Sequence, residues 1–201
     1  MARQFSPFPI GNSFEILPAD TPPTTSDRIP LIMAAGAFGS GEHETTASCL
    51  EVMEQIPDLA GKRVLDLGSG TGILSIAAIK LGAASALCVD IDPAAVKTCQ
   101  HNSALNQVAA QIEHVCGTLD QVGETDFDLI LANIYGDILL AVAEDLVRRA
   151  RPGVPMLLSG ILFEYNFDVR NRYRQLGCQV EKNRLMEEFS TVLLKAPPAT
   201  G

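Results

Sequence analysis

Two short clusters in this sequence carry residue types suited to holding a small charged ligand. The first is Val64-Leu65-Asp66-Leu67-Gly68-Ser69-Gly70-Thr71-Gly72. An apolar run ending in alternate glycines turns the backbone tightly with no side chains in the way, so a ligand can approach the main chain closely. Amide N–H groups at such a turn, and at the N-terminus of the helix that follows, suit an anionic group. The second is Asp90, which ends the next apolar run 22 residues after Gly68. An acid at that strand end accepts hydrogen bonds from both hydroxyls of a ribose. Asp92, two residues on, is placed to cap the following helix, with Pro93 in its first turn.

The glycine spacing separates two classes of nucleoside cofactor. A dinucleotide fingerprint, G-x-G-x-x-G, needs a third glycine where this chain has Ile73. Gly68, Gly70 and Gly72, with Asp66 two residues upstream, instead favour a methionine-derived methyl donor, S-adenosylmethionine, whose carboxylate would be the anionic group. Ile91 beside Asp90, and Thr118 in the segment Cys116-Gly117-Thr118, fall where contacts to the nucleoside are expected. Asn133 ends a later apolar run, and its amide oxygen could orient an amine nucleophile; its other use is to cap the next helix. His43 is a candidate base or an organiser of its loop. Tyr135 would offer an aromatic wall or a hydroxyl to an acceptor, or else fill the core.

The elements that must position these residues alternate in type from residue 63 onward. RVLDL, SALCVD, a stretch around 111–115, FDLILAN and PMLLSG read as strands. Helical patterns follow them at about 71–82, 93–106, 137–150 and 163–176. QVEKNRL and STVLLK are close enough to form an antiparallel pair. Alternation of this kind argues for a parallel sheet covered on both faces, the Rossmann-like α/β class. Residues 1–35 carry prolines 7, 9, 18, 22, 23 and 30 and read as an irregular extension packed on the core, with SFEIL as a short strand. The catalytic domain is expected over 36–196 and a flexible tail over 197–201.

Composition narrows the classes. The 201 residues are 47% hydrophobic and 19% charged, with a net charge of −9, which does not favour direct binding to nucleic acid. Arginines 148, 149, 151, 170, 172 and 174 read as solvated helix faces. No run approaches the roughly 20 apolar residues of a membrane span, and the N-terminus lacks the apolar segment of a secretory signal. A cytoplasmic protein without membrane contact is the expectation. The five cysteines form no C-x-x-C pair, and histidines 43, 101 and 114 are not at ligand spacing. The expectation is therefore buried reduced thiols and no metal.

Three further segments give the pattern a family. They are Phe38-Gly39-Ser40-Gly41-Glu42-His43-Glu44-Thr45-Thr46, Leu131-Ala132-Asn133-Ile134 and Leu158-Ser159-Gly160-Ile161-Leu162. With VLDLGSGTGIL and VDIDPAAV, they resemble the catalytic domain of the ribosomal protein L11 methyltransferase family from about residue 5 to 195. The resemblance implies a class I S-adenosylmethionine-dependent methyltransferase fold, with a mostly parallel seven-stranded sheet and a C-terminal antiparallel pair. It carries cofactor contacts onto Thr46, with Thr45 beside it, and onto Gly68, Asp90 and Asn133. It implies a protein substrate, methylated on a lysine side chain or an N-terminal amine, with ribosomal protein L11 as candidate. Glu44 stands where the family usually has proline, Tyr135-Gly136 where it has Leu-Ala, and Phe189 where tryptophan is common. The separate N-terminal domain that docks substrate in full-length members has no counterpart in these residues. A small-molecule methyltransferase and a non-catalytic cofactor-binding protein are the alternatives.

Overall fold

The computed structural model describes residues 6–21, 27–34 and 43–199. Its first strands are β1 (Phe8–Ile10), β2 (Phe14–Pro18) and β3 (Ile29–Met33), which form a small sheet in that order. The proline-rich start is thus not irregular, as its composition suggested. Pro9 and Pro30 lie on the two edge strands, where a missing N–H costs no ladder bond, and Pro18 ends the central one. Phe14, Ile16, Leu31 and Met33 are fully buried and belong to the same core as the main sheet. The turn between β1 and β2 is tied down by Glu54, whose carboxylate accepts the N–H groups of Asn12 and Ser13. The boundary expected at residues 35 and 36 lies outside the described residues.

The helix α1 (Glu44–Met53) leads into β4 (Arg63–Leu67), α2 (Ile73–Lys80), β5 (Ser85–Asp90), α3 (Pro93–Leu105) and β6 (Ile112–Cys116). The chain then returns through β7 (Leu129–Asn133), α4 (Gly136–Ala141), α5 (Ala143–Arg149), β8 (Pro155–Leu162), α6 (Asn166–Gln175), β9 (Gln179–Leu185) and β10 (Phe189–Lys195). The main sheet has seven strands in the order β6-β5-β4-β7-β8-β10-β9, parallel except at β10. This is the expected Rossmann-like sheet with its closing antiparallel pair. Its order reverses between β4 and β7, which opens a crevice at the carboxyl ends of the strands.

Both faces of the sheet are covered, so the central strands read as unbroken apolar runs. Along β7, Leu129 and Leu131 face one core layer while Ile130 and Ala132 face the other. The first layer is closed by α1, α2, α3 and the small sheet, and the second by α4, α5 and α6. The single helix expected over 137–150 is two, because Val142 leaves helical geometry with ψ at 5°. Arg149 is also not a solvated residue: it is 4% exposed, and its guanidinium donates to the carbonyls of Leu119 and Val122. Its neighbours behave as surface charges, with Arg151 paired to Asp128 at 2.7 Å and Arg172 to Glu144 at 2.6 Å. At the C-terminus, Pro197 is held by a hydrogen bond from Gly153 N–H, and residues 200–201 lie outside the described part.

Candidate functional site

A cavity of about 510 Å³ opens at the crevice between β4 and β7. That volume suits a nucleoside-sized ligand. Every candidate cofactor-binding or catalytic residue named from the sequence lines it except Gly72, whose neighbours Thr71 and Ile73 both do.

The glycine loop takes the shape its composition predicts. Gly68, Gly70 and Gly72 have φ of 70°, 53° and 78°, a region costly for other residues. A side chain at Gly68 would collide with Ile134, since its Cβ would lie 2.2 Å from Ile134 Cγ2. The loop stays open because Asp90 braces it. Asp90 Oδ2 accepts Gly70 N–H at 2.8 Å and Oδ1 accepts Asp92 N–H at 3.0 Å. Each oxygen keeps a second lone pair, so the carboxylate is fixed in place without being saturated. Asp92 caps α3 by accepting Ala94 N–H at 2.8 Å, as its position predicted.

Asp66 lies deeper, 1% exposed, and accepts a hydrogen bond from Ser75 Oγ at 2.8 Å. Burial pushes its carboxyl up to about 6, and the hydrogen bonds from Ser75 oppose that rise. Across the crevice, Asn133 Nδ2 donates to Thr46 Oγ1 at 3.4 Å. This orients the amide and leaves its carbonyl oxygen for another partner. Gly160 permits the arrangement: its φ is 75°, and a Cβ there would lie 2.8 Å from Ile134 O and 3.1 Å from Asn133 Oδ1.

His43 is the N-cap of α1. Its Nδ1 accepts Thr45 N–H at 3.3 Å and lies 2.8 Å from Thr45 Oγ1, while its ring meets Phe189 edge-on at 5.3 Å. An Nδ1 that accepts leaves the ring proton on Nε2. Tyr135 is 62% exposed and so does not fill the core. Ile91 and Ile138 are exposed beside the cavity as apolar walls, at 73% and 43%. Phe189, Gly160 and Ile138 also line the cavity, beyond the candidates named from the sequence. Gly160 carries a sequence signal, a glycine inside a buried strand; Phe189 and Ile138 reach the cavity only through the fold.

The family model for ribosomal protein L11 methyltransferase matches residues 1–197. The chain belongs to the ribosomal protein L11 methyltransferase family. It is 44% identical to the ribosomal protein L11 methyltransferase of Pelobacter propionicus over 95% of its length, and 34% identical to that of Exiguobacterium over 96%. It spans 63% and 62% of the length of these two relatives. The crystal structure of ribosomal protein L11 methylase from Lactobacillus delbrueckii subsp. bulgaricus matches 97% of this chain and 100% of its own, with a TM-score of 0.86 and 25% identity. The family and the fold therefore agree. Among the described residues, no helix is long and apolar enough to cross a membrane.

Proposed function

We propose that this chain is an S-adenosylmethionine-dependent methyltransferase acting on a protein amino group, on a lysine side chain or an N-terminus, with ribosomal protein L11 as its substrate. The observation that carries the reading is the convergence of the glycine loop, Asp90 and Asn133 on one cavity at the sheet's switch point. A cytoplasmic location follows from such a substrate.

The residues present fit the cofactor. When bound, S-adenosylmethionine would supply an activated methyl group. The loop from Gly68 to Gly72 offers backbone N–H groups to a carboxylate, and Thr45 and Thr46 close the opposite wall. Asp90 would offer its free lone pairs to the ribose hydroxyls, and Ile91 and Thr118 would hold the nucleoside. Asp66 sets a negative charge under the loop above about pH 6, which favours a cationic ligand.

Asn133 orients the acceptor amine through its carbonyl oxygen, which the Thr46 contact holds in position. The neighbouring Tyr135 and Ile138 form a wall that excludes water from the amine and favours its neutral, nucleophilic form. His43 acts as a cap and not as a base, because its Nδ1 is engaged and its Nε2 carries the proton.

The test is intact-mass analysis of L11 from the same source after incubation with the protein and S-adenosylmethionine. Added methyl increments support the assignment, and Asn133→Ala should lower the rate by roughly 100-fold or more with the fold intact. Unmodified L11 despite cofactor binding would overturn the substrate, and unaltered turnover by the Asn133 variant would overturn its role.

A further inference from the structure

Three metal-ligating side chains meet where β5, β6 and α3 join. Cys88 and His114 are register partners on adjacent parallel strands, so both leave the sheet on the same face. Cys99 reaches them from α3, which packs on that face. The ligating atoms of the three all lie within 4.8 Å of one another. The two cysteines are 1% and 0% exposed, and His114 Nδ1 is buried with no hydrogen-bond partner. Two sulfurs bound at 2.3 Å to a tetrahedral ion lie roughly 3.8 Å apart, so small rotations of these side chains complete the geometry.

We propose that Cys88, Cys99 and His114 form a zinc(II) site that ties α3 to the sheet beneath the glycine loop. Sequence spacing held no such motif; strand register and helix packing assemble it. Charge selects the ion. Two thiolates and a neutral imidazole balance a dication, whereas a monovalent thiophilic ion would leave a net negative site close to buried Asp66. Asp66 is linked to Cys88 through Ser75, which donates to Asp66 at 2.8 Å and accepts from Cys88 at 3.1 Å. Binding releases two protons: two thiols and one zinc ion give two zinc–thiolate bonds and two H⁺. Three protein ligands leave the fourth tetrahedral position to water.

The site bears on the cofactor pocket through Gly72. A Cβ at Gly72 would lie 2.3 Å from Cys99 Sγ, so the loop rests directly on this cysteine. Fixing Cys99 therefore fixes the floor of the loop. The zinc reading stands apart from the methyl-transfer reading, because metal uptake is measured without any acceptor.

The experiment titrates zinc(II) into the reduced, chelator-stripped full chain against a chromophoric chelator, with proton release followed in weak buffer. One equivalent bound with two protons released is expected, and cobalt(II) in its place should show thiolate-to-cobalt charge-transfer absorption. Cys99→Ser and His114→Gln should each weaken uptake by more than roughly tenfold, while Cys116→Ser, which removes the exposed thiol nearby, leaves it unchanged. The His114 change sits on an edge strand in a part-exposed position, so it tests the site even where Cys99→Ser fails to fold. Absence of stoichiometric uptake, uptake retained by the His114 variant, or uptake lost with Cys116→Ser would each overturn the proposal.

Discussion

Asp66 shows how one buried group ties the fold to pH. Desolvation raises its carboxyl from an ordinary value of 3.8 to about 6 in the folded protein. The folded state therefore holds this proton more tightly than the unfolded chain. The stabilisation is fully present below about pH 4 and is lost as pH rises through about 6, by on the order of 2–3 kcal/mol. Asp66→Asn cannot titrate, so it should remove this dependence. Thermal unfolding of both proteins from pH 4 to 7 should show the variant gaining on the wild type between about pH 4 and 6 and the gap levelling off above that. A constant gap would sink this account of Asp66.

At the scale of elements, α3 does more than cover the sheet. Cys99, Asn102 and Asn106 recur on one helical face. Asn102 is fully buried; its Nδ2 donates to Thr71 O at 2.9 Å and its Oδ1 accepts Ala34 N–H at 3.0 Å. Asn106 Oδ1 accepts Ile32 N–H at 3.0 Å, and its Nδ2 donates to Ile32 O at 2.6 Å. These two amides satisfy the open edge of β3 and join it to the glycine loop. Asn102→Ala removes the bonds to Thr71 O and to Ala34 N–H just past β3, which should cost about 1–3 kcal/mol and weaken cofactor binding measured by calorimetry. Ser103→Ala, which loses only a bond within the helix to Cys99 O, is the control and should leave binding unchanged.

At the scale of the molecule, the small sheet and the main sheet share one core. Phe14 is fully buried among residues of α1, α2 and the central strands. Phe14→Ala should therefore destabilise the whole protein by about 3–5 kcal/mol, and denaturant unfolding should remain a single transition by both fluorescence and circular dichroism. A separate early transition would show that the small sheet folds on its own. The cavity draws on the whole molecule in the same way, since its walls come from α1, β4, β5, β7, β8 and β10.

What the sequence determined by itself was local or periodic. The glycines at 68, 70 and 72, Asp90 at a strand end and the Asp92 cap depend on backbone conformation within a few residues, and each lies where its spacing implied. Strand and helix alternation followed from burial on two faces, which leaves a readable apolar pattern. Tertiary structure decided whatever depends on partners distant in the chain. It turned a proline-rich start into a sheet because edge strands tolerate proline, and it buried Arg149 because carbonyls of Leu119 and Val122 satisfy its guanidinium. It broke one helical pattern at Val142, brought Phe189 to His43, and set Cys88, Cys99 and His114 together. No spacing rule reaches those contacts, because strand register and helix packing, and not sequence distance, fix which side chains meet.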